Sequence, residues 1–141
     1  MAKLVKSIYT GSDVTALGEL TAADTIEGDI TFAADVDVNG VATGTVVTDN
    51  DGSFDMTAGN FFTCTPTGAI DLTFTNETAG QSGIILLVNT TPQVVTVDAD
   101  VHLADADLTA INAAGTYMMG YYCPDGTNVY LSATPALTEG A

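Results

Sequence analysis

The sequence predicts an all-β fold, and two observations carry that prediction. Threonine, valine and isoleucine number 23, 13 and 7 among the 141 residues. These β-branched side chains fit a pleated strand better than a helix. Turn dipeptides also recur at short spacing, at Asn39-Gly40, Asp51-Gly52, Thr67-Gly68, Ala79-Gly80 and Asp125-Gly126. Short β-prone runs separated by such turns are typical of a β-sandwich or a β-barrel.

Several segments carry their own strand or hairpin signals. Residues 4–10 have the composition of a short strand or an extended arm. Asn39-Gly40 predicts a type I′ hairpin whose return strand covers residues 41–48. Residues 69–75 alternate, which predicts a strand with Ile70, Leu72 and Phe74 on its buried face. The loop at residues 123–128 predicts a further hairpin that returns over residues 129–131.

Two runs, Ile84 to Val88 and Tyr117 to Tyr122, are apolar without alternation. A strand with two apolar faces needs cover on both sides, from the core on one and from another layer or subunit on the other. The sequence therefore predicts that these runs supply both core and subunit contacts.

Charge is abundant and one-sided. Eighteen acidic side chains face two basic ones, which gives a net charge of −16. Lys3 and Lys6 both precede the first acid, Asp13. Two lysines cannot neutralise a phosphate track or hold an anionic bilayer, so nucleic acid and membrane surfaces are excluded as partners. The pattern predicts a small basic arm and an acidic body; the alternative is two solvated lysines on an ordinary first strand.

The beginning of the chain shows no secretory signal. Residues 1–6 carry charge but no apolar stretch of the required length follows them, which predicts synthesis and folding in a cytoplasm. Cys64 and Cys123 are then expected to be buried thiols rather than a disulfide.

The sequence offers little catalytic chemistry. It has one histidine, His102, no arginine, and neither a glycine-rich phosphate loop nor a spaced Cys or His metal motif. Without arginine, the usual bidentate clamp for phosphate or carboxylate substrates is missing. We therefore expect no enzyme activity, no catalytic residue and no cofactor.

Two acidic clusters have some features of metal sites. Residues 49–55 place oxygen ligands around Gly52, somewhat like a calcium loop, but the full spacing and the closing Glu are missing. Asp98, Asp100 and His102 would share one face of a strand, followed by Asp105 and Asp107. An acidic turn and a solvated strand face are the favoured interpretations, so no metal ligand is predicted.

Three blocks together resemble a module of tailed-bacteriophage structural proteins. They are SFDMTAGNFFT at residues 53–63, LTFTN at 72–76 and GQSGIILLV at 80–88. The closing YYCPDGTNVY at 121–130 resembles the aromatic Asp-Gly hairpin that often ends this module, although Cys123-Pro124 precedes Asp125 here. The opening SIYTGSDVTALGEL at 7–20 is similar to the start of phage fibre-like proteins. The resemblance covers residues 1–20 and 50–133 and leaves 24–48 unmatched.

The resemblance implies an antiparallel, jelly-roll-like β-sandwich with an extended N-terminal arm, in a virion component that is usually trimeric and has no active site. We expect residues 1–24 to form the arm and residues 25–141 the β-sandwich body. A chain of 141 residues without repeats suits a capsid decoration (cement) protein better than a fibre. The alternatives are a short tail fibre, a tail adaptor or a receptor-binding module, with Tyr121, Tyr122 and Tyr130 as its contacts, and a calcium-binding domain of a cell-surface array.

The expected partners are the major capsid protein and further copies of the chain, as a homotrimer on the outer capsid of the virion. Host cytoplasm would be the place of synthesis. The sequence predicts capsid contacts from the arm, at Lys3, Leu4, Lys6, Ile8 and Tyr9. It predicts subunit contacts from the two-sided strands, at Ile84, Leu86, Met118 and Tyr122.

Overall fold

The computed structural model describes residues 40–138, and these residues form nine strands and one short helix. The elements are β1 (Val46–Thr48), β2 (Ser53–Asp55), β3 (Phe61–Cys64), β4 (Ile70–Thr75), β5 (Gln81–Asn89), β6 (Val95–Val97), β7 (Val101–His102), α1 (Asp105–Ile111), β8 (Gly115–Cys123) and β9 (Val129–Ala133). The predicted all-β class is therefore confirmed for this part of the chain. The expected arm, residues 1–24, and Asn39 of the predicted hairpin lie outside the described residues. Of the expected return strand, residues 41–48, only Val46–Thr48 forms a strand.

The strands form two sheets. A six-stranded sheet has the order β1-β3-β5-β8-β9-β7, and a three-stranded sheet has the order β2-β4-β6. From β1 to β6 the chain alternates between the two sheets. Strands β1, β3 and β5 enter the six-stranded sheet, and strands β2, β4 and β6 enter the three-stranded sheet. Only after β6 does the chain stay with the larger sheet, through β7, β8 and β9, with α1 between β7 and β8.

The expectation of antiparallel pairing is wrong for most of the described strands. Only β5–β8 and β8–β9 are antiparallel. The pairs β1–β3, β3–β5, β7–β9, β2–β4 and β4–β6 are parallel. The reason is in the turns: Asp51-Gly52, Thr67-Gly68 and Ala79-Gly80 lead the chain into the other sheet, so the strands that they join are not neighbours. A fourth turn, Asp125-Gly126, does close a hairpin, the one predicted between β8 and β9.

Alternation along the strands separates a buried inner side from an outer side. In β4, Ile70, Leu72 and Phe74 are buried, as predicted. Four aromatic rings meet between the sheets: Phe54 and Phe74 come from the smaller sheet, Phe62 and Tyr121 from the larger one. Their ring centroids lie 5.1 to 6.3 Å apart in tilted arrangements. Burying each such side chain contributes about 1.5–3 kcal/mol to the free energy of folding.

Both cysteines lie on this inner side as free, buried thiols, as predicted. Burial, together with the negative charges of Asp49 and Asp51, raises the pKa of the Cys64 thiol to about 11. Thiolate is the reactive form, so the Cys64 side chain packs as a small apolar group rather than acting as a nucleophile.

Helix α1 lies beside β6, one of the two edge strands of the three-stranded sheet. The side chain of Asn112, the residue after the helix, accepts a hydrogen bond from the Val95 backbone N–H at 2.8 Å and donates to the Val95 carbonyl at 3.0 Å. The amide thus takes the place that a neighbouring strand would have beside β6. An edge closed in this way cannot pair with another chain at Val95.

Asn89, at the end of β5, is the buried polar residue of the described core, 1% exposed. Its Nδ2 donates to the carbonyl oxygens of Gln93 and Ile111 at 3.1 and 2.9 Å, and its Oδ1 accepts the Gln93 backbone N–H at 2.8 Å. One side chain therefore joins the loop after β5 to the end of α1.

We predict that Asn89→Ala lowers the free energy of unfolding by about 3 kcal/mol, because it leaves buried backbone groups without hydrogen-bond partners. Urea unfolding measures the loss. Asn128→Ala is the matched control, since Asn128 also makes side-chain hydrogen bonds but at an exposed hairpin, and it should cost about 1 kcal/mol or less. Equal losses in the two variants would contradict this role of Asn89.

Candidate functional site

The side of the six-stranded sheet that points away from the three-stranded sheet is the candidate site, and we call it the outer face. Alternation places on it every second residue of the strands. Its members are Val46, Thr48, Phe61, Thr63, Ser82, Ile84, Leu86, Val88, His102, Thr116, Met118, Gly120, Tyr122, Tyr130 and Ser132. The intervening residues, such as Ile85, Leu87 and Met119, point inward and are fully buried.

The outer face is apolar and partly open. Val46, Phe61, Ile84, Met118, Tyr122 and Tyr130 are each between 37% and 62% exposed. Hydroxyl side chains lie among them, and the hydroxyls of Thr48 and Thr63 are 3.1 Å apart across neighbouring strands. Single exposed apolar residues are ordinary on a protein surface, whereas contiguous apolar groups are more typical of interaction sites.

No Asp, Glu, Lys or Arg of residues 40–138 lies on the outer face, where His102 is the one basic side chain. Residues 40–138 contain ten Asp and Glu residues and no Lys or Arg. The acids occupy turns, helix α1 and the three-stranded sheet, whose own outward side carries Asp55, Asp71, Thr73, Thr75 and Thr96. The two sheets therefore present opposite surfaces, one charged and hydroxyl-rich, the other uncharged and largely apolar.

All four residues predicted for subunit contact are on this outer face. Leu86 is paired directly with Met118, and Ile84 with Gly120. Tyr122 is paired with Ser82 on one side and with Tyr130 on the other.

The three tyrosines proposed as a binding surface do not all lie on the outer face. Tyr122 and Tyr130 are each 50% exposed, whereas Tyr121 is buried and donates a hydrogen bond to the Asn60 carbonyl at 3.2 Å. Burial raises the pKa of Tyr121 to about 12.

An aromatic ladder ends the outer face at the β7 edge. The His102 ring stacks on Tyr130 with centroids 4.7 Å apart and an angle of 22° between the planes. His102 Nε2 and Asn128 Oδ1 are 3.0 Å apart, and Asn128 Nδ2 donates to Asp125 Oδ2 at 2.7 Å. Hydrogen bonds from the backbone and side chain of Asn128 lower the pKa of Asp125. These contacts fix the ring positions at the edge of the face.

Two shallow depressions lie on the surface of the six-stranded sheet. One, of about 350 Å3, is lined by Gly83, Gly120, Tyr121, Tyr122, Tyr130, Leu131 and Ser132. The other, of about 330 Å3, lies between the chain following β3 and the end of β5 and is lined by Thr65, Pro66, Thr67, Val88, Thr90, Thr91 and Gln93. Neither depression is lined by an Asp, Glu, Lys, Arg, His or Cys residue.

The calcium-like segment at residues 49–55 binds its own backbone. Asp49 Oδ1 accepts the Asp51 N–H at 3.1 Å, and Asp51 Oδ1 accepts the Ser53 N–H at 2.9 Å. The bond from Ser53 lowers the pKa of Asp51, while partial burial and the neighbouring Asp51 carboxyl raise that of Asp49. Asp55 is held by Thr57 and Asn76, which lower its pKa. The carboxylates act here as turn-forming acceptors.

The second acidic cluster does not share a strand face. Asp98 and Asp100 lie in the turn before β7, and Asp98 Oδ1 accepts the Ala99 N–H. Asp105 and Asp107 lie in the first turn of α1. Within residues 40–138, no group of three or more His, Cys, Asp or Glu side chains is placed to hold a metal ion. In the same range, no helix has the length and apolarity needed to cross a membrane.

The predicted arm residues, Lys3, Leu4, Lys6, Ile8 and Tyr9, lie outside the described residues. Comparison of the chain with protein-family models, curated proteins and solved structures finds no match.

Sequence reasoning missed three features of the site and its support. Gly120 and the stacking of His102 on Tyr130 carry no local signal, because both depend on cross-strand register. Helix α1 did have a signal: Asp105 and Asp107 lie in its first turn, where acids favour a helix, and Leu108 and Ile111 are spaced for one buried side.

We predict that Ile85→Ala lowers the free energy of unfolding by about 2–5 kcal/mol, because Ile85 is fully buried. Ile84→Ala, one residue away on the outer face, should cost about 1 kcal/mol or less. Urea unfolding at low protein concentration measures both, so that association does not add to the stability. A larger loss of stability for Ile84→Ala than for Ile85→Ala would contradict the assignment of Ile85 to the inner side of β5 and Ile84 to the outer side.

Proposed function

We propose that the chain is a structural protein of a tailed-bacteriophage virion, a capsid decoration protein that binds the outer capsid lattice as a homotrimer. The observation that carries this proposal is the contrast between the two sheets. One outward side bears acids suited to solvent, and the other is uncharged, apolar and suited to a protein partner. The resemblance of residues 53–63, 72–76, 80–88 and 121–130 to phage structural modules supplies the virion context.

The proposed trimer uses the outer face as its subunit interface. Ile84, Leu86, Met118 and Tyr122 lie together there, and burial of apolar surface contributes about 25 cal/mol per Å2. Each copy carries a net charge of −16, so like-charge repulsion opposes association. Because the acids of residues 40–138 are off the outer face, none of them would be buried in such an interface, and salt would reduce the repulsion between the bodies.

The remaining parts of the proposal follow the sequence. Lys3, Leu4, Lys6, Ile8 and Tyr9 would contact the major capsid protein, since they form the one basic segment of an acidic chain. The body would be a β-sandwich, an assignment that the ring contacts between the two sheets support. The proposal assigns the chain to the capsid surface after synthesis in the host cytoplasm. It includes no enzyme activity, cofactor, metal, nucleic acid or membrane partner.

We predict that self-association strengthens with salt, because salt screens the repulsion between the acidic copies. We also predict that it fails in Leu86→Glu, because this variant would bury a charge beside Met118 in the proposed interface. Sedimentation equilibrium of the full chain at low and high salt measures both effects. Thr73→Glu is the control, because it adds the same charge to the outward side of the three-stranded sheet. A wild-type oligomer that dissociates on adding salt, or one unaffected by Leu86→Glu, would contradict the proposed interface.

Protein stoichiometry of the purified particle tests the function itself: decoration requires hundreds of copies per virion. Deleting residues 1–12 should abolish binding to capsids, because it removes both lysines, and should leave the melting temperature of the body unchanged. Lys3→Gln with Lys6→Gln separates the charge from the length of the arm. Unchanged capsid binding by the deletion variant would exclude the arm as the attachment segment.

A tail protein, as a fibre, adaptor or receptor-binding module, is the second candidate. The observation that favours it is the cross-strand pair Tyr122 and Tyr130, both half exposed beside a depression. Amphipathic rings of this kind are common in recognition surfaces. A count of a few tens of copies or fewer per particle would favour this tail location over capsid decoration.

A further inference from the structure

Gly83 lies inside strand β5 and Gly120 inside strand β8, and the two positions have different reasons to be glycine. At Gly83 a Cβ atom would overlap the Asn60 carbonyl oxygen and the Tyr121 hydroxyl, so the packing of the molecule itself requires the small residue. At Gly120, in the middle of the nine-residue β8, a Cβ atom would meet nothing within 4 Å. Its missing side chain leaves open space on the outer face.

Glycine is unfavourable inside a strand, where it packs nothing and gains backbone entropy on unfolding. Gly120 has no positive φ to justify it, since the positive-φ glycines of the described chain are Gly52, Gly80 and Gly126. A strand glycine without an internal reason often marks a place where another molecule approaches closely. The depression of about 350 Å3 beside it is bordered by Tyr122, Tyr130 and Ser132.

We propose that the depression at Gly120 receives an apolar or aromatic side chain from the outer face of a second copy of this chain. The inference rests on the self-association in the proposed function and names the contact at its centre. Met118 and Tyr122 flank Gly120 at two residues' distance on the same strand and are 42% and 50% exposed. When two or three such faces meet around a symmetry axis, the projecting side chains of one copy fill the gap left in the next.

Charge argues for a second copy as the occupant. A surface without Asp, Glu, Lys or Arg, whose one histidine lies at its β7 edge, can meet an identical surface without contact between like charges. A basic partner would find its counter-charges on the other sheet and in the turns. Across residues 40–138, every acid lies off the outer face. The outer face is thus the part of the described surface on which two copies of this acidic chain can touch at least electrostatic cost.

Area is the second argument. Five strands, β1, β3, β5, β8 and β9, spaced by about 4.8 Å and averaging about 20 Å in length, give roughly 500 Å2 of flat surface per copy. Two copies together reach about 1,000 Å2, the size at which a specific interface becomes stable when its packing is good. With so modest an area, the fit at a central depression decides the affinity, because a few well-packed contacts carry most of the binding energy.

The test compares Gly120→Ala and Gly120→Val with the wild-type full chain by sedimentation equilibrium. Gly68→Val is the matched control, since Gly68 is exposed and also has open space around its Cβ position. Valine suits a strand, so circular dichroism should show a folded Gly120→Val with a melting temperature no lower than that of the wild type. Gly120→Ala remains as the smaller change if valine prevents folding.

We expect the dissociation constant of the oligomer to rise at least about tenfold in Gly120→Val, less in Gly120→Ala, and to be unchanged in Gly68→Val. Wild-type affinity in Gly120→Val, or in Gly120→Ala where valine prevents folding, would overturn the depression as a contact and leave the self-association itself standing. A wild-type chain that stays monomeric at high concentration would overturn both the contact at the depression and the self-association. The same result is expected if another segment of the same copy fills the depression. Decoration would then still be decided by the particle stoichiometry.

Discussion

The contact between the inner sides of the two sheets is the constraint on which the rest of this structure depends. Phe54 and Phe74 meet Phe62 and Tyr121 across the gap, and these rings fix which side of each strand is turned inward. Side chains alternate along a strand, so fixing the inner side also fixes the outer one. A shift of one residue in β5 or β8 would bring Ile84 and Met118 into the core and expose Ile85 and Met119. The uncharged outer face is thus a direct consequence of the core.

An acidic body with so few cations needs another way to hold its carboxylates. In residues 40–138 the acids have no Lys or Arg to pair with, and several of them accept hydrogen bonds from nearby backbone N–H groups instead, as Asp51 does from Ser53 and Asp125 from Thr127 and Asn128. These bonds stabilise the turns and lower the pKa of both carboxyls. The acidic side chains of residues 40–138 therefore lie in the turns, in helix α1 and on the three-stranded sheet, and the outer face has none of them.

Local pattern was enough to predict the strand β4 and the hairpin between β8 and β9, because alternation and turn chemistry act over a few residues. It was not enough to predict the sheet order. The paired positions Val46 and Phe61 are 15 residues apart, and Phe61 and Ile84 are 23 apart. Because these two spacings differ, the sequence has no fixed repeat that would indicate parallel pairing. No local sequence pattern indicates parallel pairing either.

The sequence by itself determined that the described chain is built of strands, that its apolar runs are two-sided and that its charge is almost wholly negative. These properties are local or compositional, and they follow from side-chain shape and ionisation. Tertiary structure alone decided that Ile84, Leu86, Met118 and Tyr122 share one surface with Gly120, and that the acids of residues 40–138 lie elsewhere. Register between strands distant in sequence sets those positions, and register follows from the packing of the whole core rather than from any one segment.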